Sequence, residues 1–244
     1  MRVCLPLLSC AAVAVLAGCS QIPAVGLHLD EVVDGVRQAF DVGPVPVSLA
    51  PAPRPRYQRG DTFFFGRTTM RQLRSVSPKA LEWTTEDGDT IVTTADFFAP
   101  YLGYTPPGQR VESRLKGDPS ALWPLEIGKR VSFEETRRIT HDNTGTVRTR
   151  AFRWQCEVVD ARLSIVPAGD FDTFHVRCRS FYPSFPLPLQ EVSWDYAPSL
   201  GHFVRRTWLD GRRTRELQLT AALPGRVATE RRRAAVRERL AMAE

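Results

Sequence analysis

"VRTRAFRWQCEVV" at 147–159 and "DTFHVRCRS" at 172–180 are the two stretches that decide the fold. In both, a large apolar side chain recurs at every second position, and charged or polar side chains fall between. These apolar residues are Phe152, Trp154, Cys156 and Val158 in the first stretch and Phe174, Val176 and Cys178 in the second. Successive side chains of a β-strand point to opposite faces, so each stretch predicts a strand with one buried and one solvated face.

The same alternation continues in "EVSWDY" at 191–196 and "RELQLTA" at 215–221, and turn signals such as Asp87-Gly88 and Asn143-Thr144-Gly145 separate the segments. Strands with one buried face are typical of antiparallel sheets. We therefore expect residues 57–223 to form an all-β domain. It is either a single antiparallel, strongly curved sheet or an open barrel or sandwich, with short helices at the N- and C-terminal ends.

The N-terminus has the pattern of an export signal. Arg2 precedes an apolar stretch over 5–16 that is shorter than the about 20 residues needed to cross a bilayer. Leu16-Ala17-Gly18-Cys19 then resembles the lipobox of bacterial lipoproteins. The resemblance implies that residues 1–18 are removed and that Cys19 carries fatty acyl chains such as palmitate. The alternative is an ordinary signal peptide with an incidental cysteine.

A lipid anchor at Cys19 predicts a protein of the cell envelope, held on a membrane by two or more acyl chains. Ser20 follows the cysteine. In lipoproteins of enteric-type bacteria this implies sorting to the outer membrane, facing the periplasm. An exported protein rarely meets nucleic acid, so its net charge of +6 points instead to anionic lipid, lipopolysaccharide or peptidoglycan. We expect most arginines to lie on solvated strand faces.

Of the five cysteines, Cys4 and Cys10 lie in the signal and Cys19 is the lipidation site, which leaves Cys156 and Cys178. An even remainder in an oxidising compartment predicts a disulfide between them. The chain turns between their two strands at "VPAGDFD", 166–172.

A simple hairpin register about that turn does not set the two cysteines opposite each other. Either a β-bulge shifts the register or the first strand bends at Asp160-Ala161. A catalytic thiol and a metal site are the competing interpretations of these cysteines. His175 and Cys178 have a ligand-like spacing, but on a strand they point to opposite faces, and no metal is expected.

Two terminal regions flank the predicted β domain. Residues 19–56 hold the lipidated N-terminus, a short helix at 29–40 and a proline-rich stretch at 41–56, which predicts an extended tether that holds the domain off its membrane. Residues 224–244 predict a basic, largely solvated helix or tail, and a basic helix can also contact an anionic surface.

Four segments together resemble the DUF3108-like family of exported bacterial domains: "YQRGDTFFFG" at 57–66, "ALWPLEIGKRVSF" at 121–133, "LSIVPAGDFDTFHVRC" at 163–178 and "WDYAPSLGHFVRR" at 194–206. The resemblance implies an antiparallel β domain. It brings no reaction and no catalytic residues, because the function of that family is unassigned.

One loop, "DFFAPYLGYTPPG" at 96–108, points to a ligand. It concentrates four aromatic residues between prolines and glycines: Phe97, Phe98, Tyr101 and Tyr104. Aromatic loops at the mouth of a β-barrel can grip a sugar or an acyl chain. They can equally plug the open end of the core.

Two functions remain from different classes. The first is a non-enzymatic envelope scaffold, without cofactor, that binds a partner protein, a glycan or an apolar ligand. The second is an envelope hydrolase acting on peptidoglycan or lipid, which a cleft holding His175 or His202 beside a carboxylate favours. No nucleophile elbow, zinc-protease or nucleotide-binding motif is present in the sequence. The sequence leaves the oligomeric state open.

Overall fold

The computed structural model describes residues 43–210 and 213–242. Pro44–Glu244 form one compact unit. The signal at 1–18, the lipidation site Cys19 and the helix at 29–40 all lie outside the described residues and stay predictions.

The described residues form a closed antiparallel barrel of twelve strands, in which each strand pairs with the next along the chain and β1 pairs with β12. The strands are β1 (Thr62–Phe65), β2 (Thr69–Val76), β3 (Leu81–Thr85), β4 (Thr90–Thr93), β5 (Gly103–Tyr104), β6 (Gln109–Lys116), β7 (Arg130–His141), β8 (Val147–Val166), β9 (Gly169–Phe181), β10 (Gln190–Ala197), β11 (His202–Asp210) and β12 (Arg213–Leu223). The all-β, antiparallel prediction is confirmed. The sheet is closed rather than open, which leaves no unpaired edge strand.

The barrel closes where the two ends of the β domain meet. Asp61 accepts hydrogen bonds from the backbone N–H of Gln58, at 2.7 Å, and of Gly225, at 2.8 Å. A Cβ atom on Gly225 would lie 2.2 Å from the carbonyl oxygen of Arg59, so only glycine allows this approach. The Arg-Gly-Asp tripeptide at 59–61 therefore has a structural role at the barrel seam.

Cys156 and Cys178 lie directly opposite each other on β8 and β9 and are joined by a disulfide. Val166 pairs with Gly169 at the hairpin end, and a bulge between Val158 and Asp160 shifts the register by one residue. A bulge is one of the two alternatives by which the sequence could bring the cysteines opposite each other. Both cysteines are buried, so the bond lies in the core.

Two connections between strands fill the barrel interior. The β4–β5 connection at 94–102 contributes Phe98, and the β6–β7 connection at 117–129 contributes Leu122 and Leu125 through a short 3-10 turn at Pro119–Leu122. All three side chains are fully buried. A twelve-strand barrel is wider than the eight-strand kind that its own inward side chains fill, and these connections occupy the additional space.

The described part of the proline-rich segment, residues 43–56, is bonded to the barrel and is not a free tether. Val47 donates a backbone hydrogen bond to Ala161, and Ala52 exchanges two with Leu125. Arg54 forms an ion pair with Asp96 at 2.7 Å. The packed body therefore begins near residue 44 rather than at 57, because the small and aliphatic residues among the prolines bury against the barrel.

A C-terminal helix, α1 (Glu230–Met242), lies within the stretch predicted to be a basic helix or tail and has no buried residue. Arg237 forms an ion pair with Glu86 at 3.0 Å and so places one face of the helix against the barrel. In the part of the chain that the structure describes, no helix has the length and apolar character needed to cross a membrane.

Candidate ligand-binding cavity

A cavity of about 260 Å³ lies between the β4–β5 connection and the inner faces of strands β2, β6, β7, β8, β10 and β11. Its walls combine aromatic rings with guanidinium groups. The lining residues include Arg71, Phe97, Tyr101, Ser113, Arg137, Trp154, Gln190, Trp194, Phe203 and Arg206. This volume is just below the about 300–1,000 Å³ typical of pockets for drug-sized ligands.

The four loop aromatics line this cavity, and Phe97 and Phe98 also pack in the barrel interior. The ring of Phe97 stacks on that of Tyr196 with centroids 5.0 Å apart, and Phe98 is buried behind it. Tyr101 and Tyr104 meet edge to face at 5.8 Å on the cavity wall. That these residues bind a ligand stays a prediction.

One wall of the cavity rests on a buried carboxylate. Glu135 is fully buried and accepts hydrogen bonds from Ser113 Oγ at 2.7 Å and Trp154 Nε1 at 2.8 Å. Arg137 donates to both carboxylate oxygens, from Nε at 2.7 Å and Nη2 at 3.0 Å. A buried charge needs partners of this kind, and the bidentate pair fixes the direction of the Arg137 side chain.

Arg71 on β2 and Arg206 on β11 both reach the cavity. Cross-strand partners share a face of a sheet, and Arg71 pairs with Phe63 while Arg206 pairs with Trp194, whose rings lie in the core. Both arginines donate to the hydroxyl oxygen of Tyr101, from Arg71 Nη2 at 2.8 Å and from Arg206 Nη1 at 3.2 Å. Arg206 also lies over the Trp194 ring, 5.8 Å from its centroid.

His202 lines a neighbouring space of about 30 Å³ that shares Arg71 and Tyr101 with the main cavity. Its Nδ1 shares a hydrogen bond of 2.7 Å with the Tyr57 hydroxyl, and its ring stacks on Phe63 at 3.8 Å. Burial first, and then the charge of Arg71, hold the pKa of His202 well below its ordinary value. His202 is therefore a neutral core residue at neutral pH.

His175 does lie beside a carboxylate, on the sheet face opposite to Trp194. Its Nδ1 is 2.7 Å from Asp195 Oδ1, and Ser164 Oγ donates to Asp195 Oδ2 at 3.0 Å. In a hydrolytic triad the histidine stands between serine and carboxylate, whereas here the carboxylate stands between the other two. Burial raises the pKa of Asp195, but the hydrogen bond and charge of His175, the charge of Arg162 and the hydrogen bond from Ser164 lower it overall.

Metal ligands do not converge in the described part of the chain, where no group of three or more His, Cys, Asp or Glu side chains is placed to hold an ion.

Sequence reasoning found the aromatic loop but missed the polar groups of the cavity. The sequence predicts solvated positions for most arginines, and it does not single out Arg71, Arg137 and Arg206, which line the cavity. Such residues can be recognised in the sequence as charged residues at the alternating positions that apolar residues otherwise occupy in the strand. In "RVSFEETRR" at 130–138, Glu135 and Arg137 continue the spacing of Val131 and Phe133.

Solved structures similar to this chain are bacterial proteins of the envelope type. The hypothetical lipoprotein YmcC from Escherichia coli K12 aligns with a TM-score of 0.47 and 10% identity, covering 67% of this chain and 84% of YmcC. A candidate lipoprotein from Parabacteroides distasonis aligns with a TM-score of 0.37 and 13% identity, covering 72% of this chain and 100% of that one. A candidate exported protein with a YmcC-like fold from Bacteroides fragilis has a TM-score of 0.39 and 13% identity, over 70% and 99% of the two chains. A likeness at this level assigns no function.

No protein-family model matches the chain, and no curated protein matches it. The resemblance to DUF3108-like domains therefore stays a prediction.

Proposed function

We propose that this protein is a lipid-anchored, non-enzymatic protein of the cell envelope whose barrel binds a small amphiphilic molecule in the interior cavity. The observation that carries the proposal is the composition of the cavity wall. Aromatic rings from the β4–β5 connection and from β10 and β11 face polar groups from β2, β6 and β7. Ligand sites are typically concave, mostly apolar, and supplied with a few directed polar groups.

The aromatic side of the cavity suits an apolar chain or ring. Phe97, Trp194 and Phe203 contact each other there, with ring centroids 6.2 and 6.3 Å from Phe97 to the other two. Their packing against the core holds the wall in place without a ligand. A pre-formed site of this kind binds without the cost of ordering its side chains.

The envelope location rests on two features of different origin. The lipobox-like Leu16-Ala17-Gly18-Cys19 supplies the anchor. The buried Cys156–Cys178 disulfide suits an oxidising compartment such as the periplasm. With Ser20 after the anchor, we place the protein on the outer membrane, facing the periplasm.

The geometry favours binding over the envelope hydrolase. The Nδ1 atom of His202 shares its hydrogen bond with the Tyr57 hydroxyl rather than with a carboxylate, and the lowered pKa of His202 favours the neutral ring. Ser164 is buried, and its hydroxyl donates to the carboxylate of Asp195 rather than to a histidine. A serine nucleophile needs both exposure and a histidine in hydrogen-bond reach.

Lipidation is tested in cells that express the full chain. Globomycin, or Cys19→Ala, should leave the precursor unprocessed or release the protein from the membrane fraction, whereas Cys10→Ala should leave anchoring unchanged. Normal maturation and membrane retention of Cys19→Ala would rule out the anchor.

Ligand binding is tested with a photoreactive alkyl diazirine amphiphile added to membranes that carry the full chain. After irradiation, peptide mapping should find the label in the segments that form the cavity wall, 97–104 or 190–206. Label found only on segments outside the wall would overturn the proposal that this cavity is the binding site.

A further inference from the structure

The cavity wall carries more positive charge than its surroundings neutralise. Arg137 is compensated, because the carboxylate of Glu135 binds it at two points. Arg71 and Arg206 are not compensated in this way. Among residues 43–210 and 213–242, no carboxylate forms an ion pair with either guanidinium group.

The two arginines also retain hydrogen-bond donors without acceptors. Each guanidinium has five N–H donors, and Tyr101 accepts one from each arginine. The Nε atoms of both Arg71 and Arg206 are buried and have no hydrogen-bond partner. Buried donors without acceptors are costly, and planar guanidinium groups match the oxygens of a carboxylate or phosphate.

The positive charge of the arginines also shifts the pKa values of two neighbouring groups. Burial raises the pKa of Tyr101, but the charges and hydrogen bonds of Arg71 and Arg206 outweigh burial and lower it overall. At His202 the charge of Arg71 acts together with burial to lower the pKa. Tyr101 therefore loses its proton more easily, and His202 gains a proton less easily. An excess of positive charge near both groups has this effect.

An exposed apolar loop leads directly into the cavity wall. Residues 182–189 join β9 to β10, and Gln190 and Val192, which follow the loop, line the cavity. The loop exposes three large apolar side chains: Phe185 at 52%, Leu187 at 62% and Leu189 at 51%. Such a surface suits the apolar part of a molecule that extends out of the cavity, and it would not be needed for an inorganic anion.

We propose that the ligand of this cavity is an anionic amphiphile whose acidic oxygens bind Arg71 and Arg206 beside Tyr101, while its apolar part packs on Phe97, Trp194 and Phe203. This inference rests on the proposed function and names its ligand class. A carboxylate and a phosphate monoester offer the same oxygen acceptors to the two guanidinium groups. The limited volume favours a ligand with one short chain or ring in the cavity.

The test compares three probes that share one alkyl chain: octanoate, octyl phosphate and the neutral octanamide. The full chain in phosphatidylcholine nanodiscs is titrated with each by calorimetry, and empty nanodiscs give the correction for partition into lipid. At least one anion should bind with a Kd about tenfold or more below that of octanamide. Tighter binding of octanoate would then indicate a carboxylate ligand, and tighter binding of octyl phosphate a phosphate ligand.

Arg71→Gln and Arg206→Gln should each weaken anion binding about tenfold and leave octanamide binding unchanged. Arg177→Gln, on the opposite sheet face, is the matched control and should change neither. Arg206→Lys should retain part of the anion preference, which separates a loss of charge from a loss of structure.

Equal affinity for octanamide and both anions would overturn this inference and leave the proposed binding function intact. Anion binding that both glutamine variants retain would overturn it as well. If none of the three probes binds, the proposed function fails together with the inference.

Discussion

Arg54 donates a hydrogen bond from Nη2 to Oδ2 of Asp96 across 2.7 Å, and so joins the N-terminal segment to the loop inside the barrel. Trp123 Nε1 donates to the other carboxylate oxygen at 2.9 Å. The Asp96 side chain is 3% exposed, so these two partners offset the cost of burying its charge. One carboxylate thus joins the N-terminal segment, the β4–β5 connection and the β6–β7 connection.

Replacing this carboxylate should destabilise the fold. Asp96→Ala leaves the indole N–H of Trp123 buried without an acceptor, and we expect the free energy of unfolding to fall by about 2–4 kcal/mol. Arg54→Gln should cost less, because the Arg54 side chain is 40% exposed. Urea unfolding followed by tryptophan fluorescence measures both, with Asp172→Ala on the surface as the control. An Asp96→Ala variant as stable as this control would contradict the role of Asp96.

The Cys156–Cys178 disulfide should contribute measurably to stability. A bond closing a sequence separation of 22 residues stabilises by about 3–4 kcal/mol on the chain-entropy model. Cys156→Ala combined with Cys178→Ala should therefore lower the urea midpoint strongly. Thiol labelling of the denatured, non-reduced mature protein should find no free cysteine. Two labelled thiols per chain would remove the bond from this account.

Tyr101 should ionise before an ordinary tyrosine does. The two arginines that donate to its hydroxyl lower its pKa below the usual 10.0 despite burial. Absorbance at 295 nm as a function of pH should show a step below pH 10 that is missing in Tyr101→Phe. If the difference between the two titration curves has its midpoint at or above pH 10, the positive field in the cavity is not present.

Tyr57 and Tyr196 should make the fold sensitive to alkali. Burial raises the pKa of Tyr196 to about 12, and burial together with neighbouring Tyr196, Asp61 and Asp96 raises that of Tyr57 well above 10.0. The stability that these neutral phenols contribute is fully present below pH 10 and is lost as the pH rises from 10 towards 12.

For Tyr196 alone this loss amounts to about 2–3 kcal/mol at pH 12. Urea midpoints at pH 8, 10 and 11 measure it in the wild type and in Tyr196→Phe, which should lose less stability with rising pH. A variant with the same pH dependence as the wild type would show that Tyr196 does not titrate as described.

The strands follow from local sequence, and the closure of the barrel does not. Alternation in 147–159 and 172–180 places each side chain on a face, because the period of two is a property of the strand itself. The pairing of β1 with β12 joins residues about 160 positions apart, Thr62 with Leu223, and no local pattern specifies such a pairing.

Only part of the candidate site could be predicted from the sequence, because local sequence does not show which strands pair. The clustered aromatics at 97–104 stand out in composition and do line the cavity. In the sequence, Arg71 and Arg206 look like ordinary surface arginines. The buried face of a strand is assigned from most of its residues, and a single charged residue does not change that assignment. Their inward direction becomes evident only from their cross-strand partners, Phe63 and Trp194.

Native mass spectrometry of the full chain, released from nanodiscs, tests most directly whether the barrel interior holds a small molecule. Ala99 lines the cavity and is 6% exposed, so Ala99→Phe should fill it, whereas Ala151→Phe places the same ring on an exposed strand position. We predict one bound amphiphile per chain in the wild type and in Ala151→Phe, and none in a folded Ala99→Phe. Equal occupancy in Ala99→Phe and the wild type, or no bound molecule in any of the three, would contradict the account.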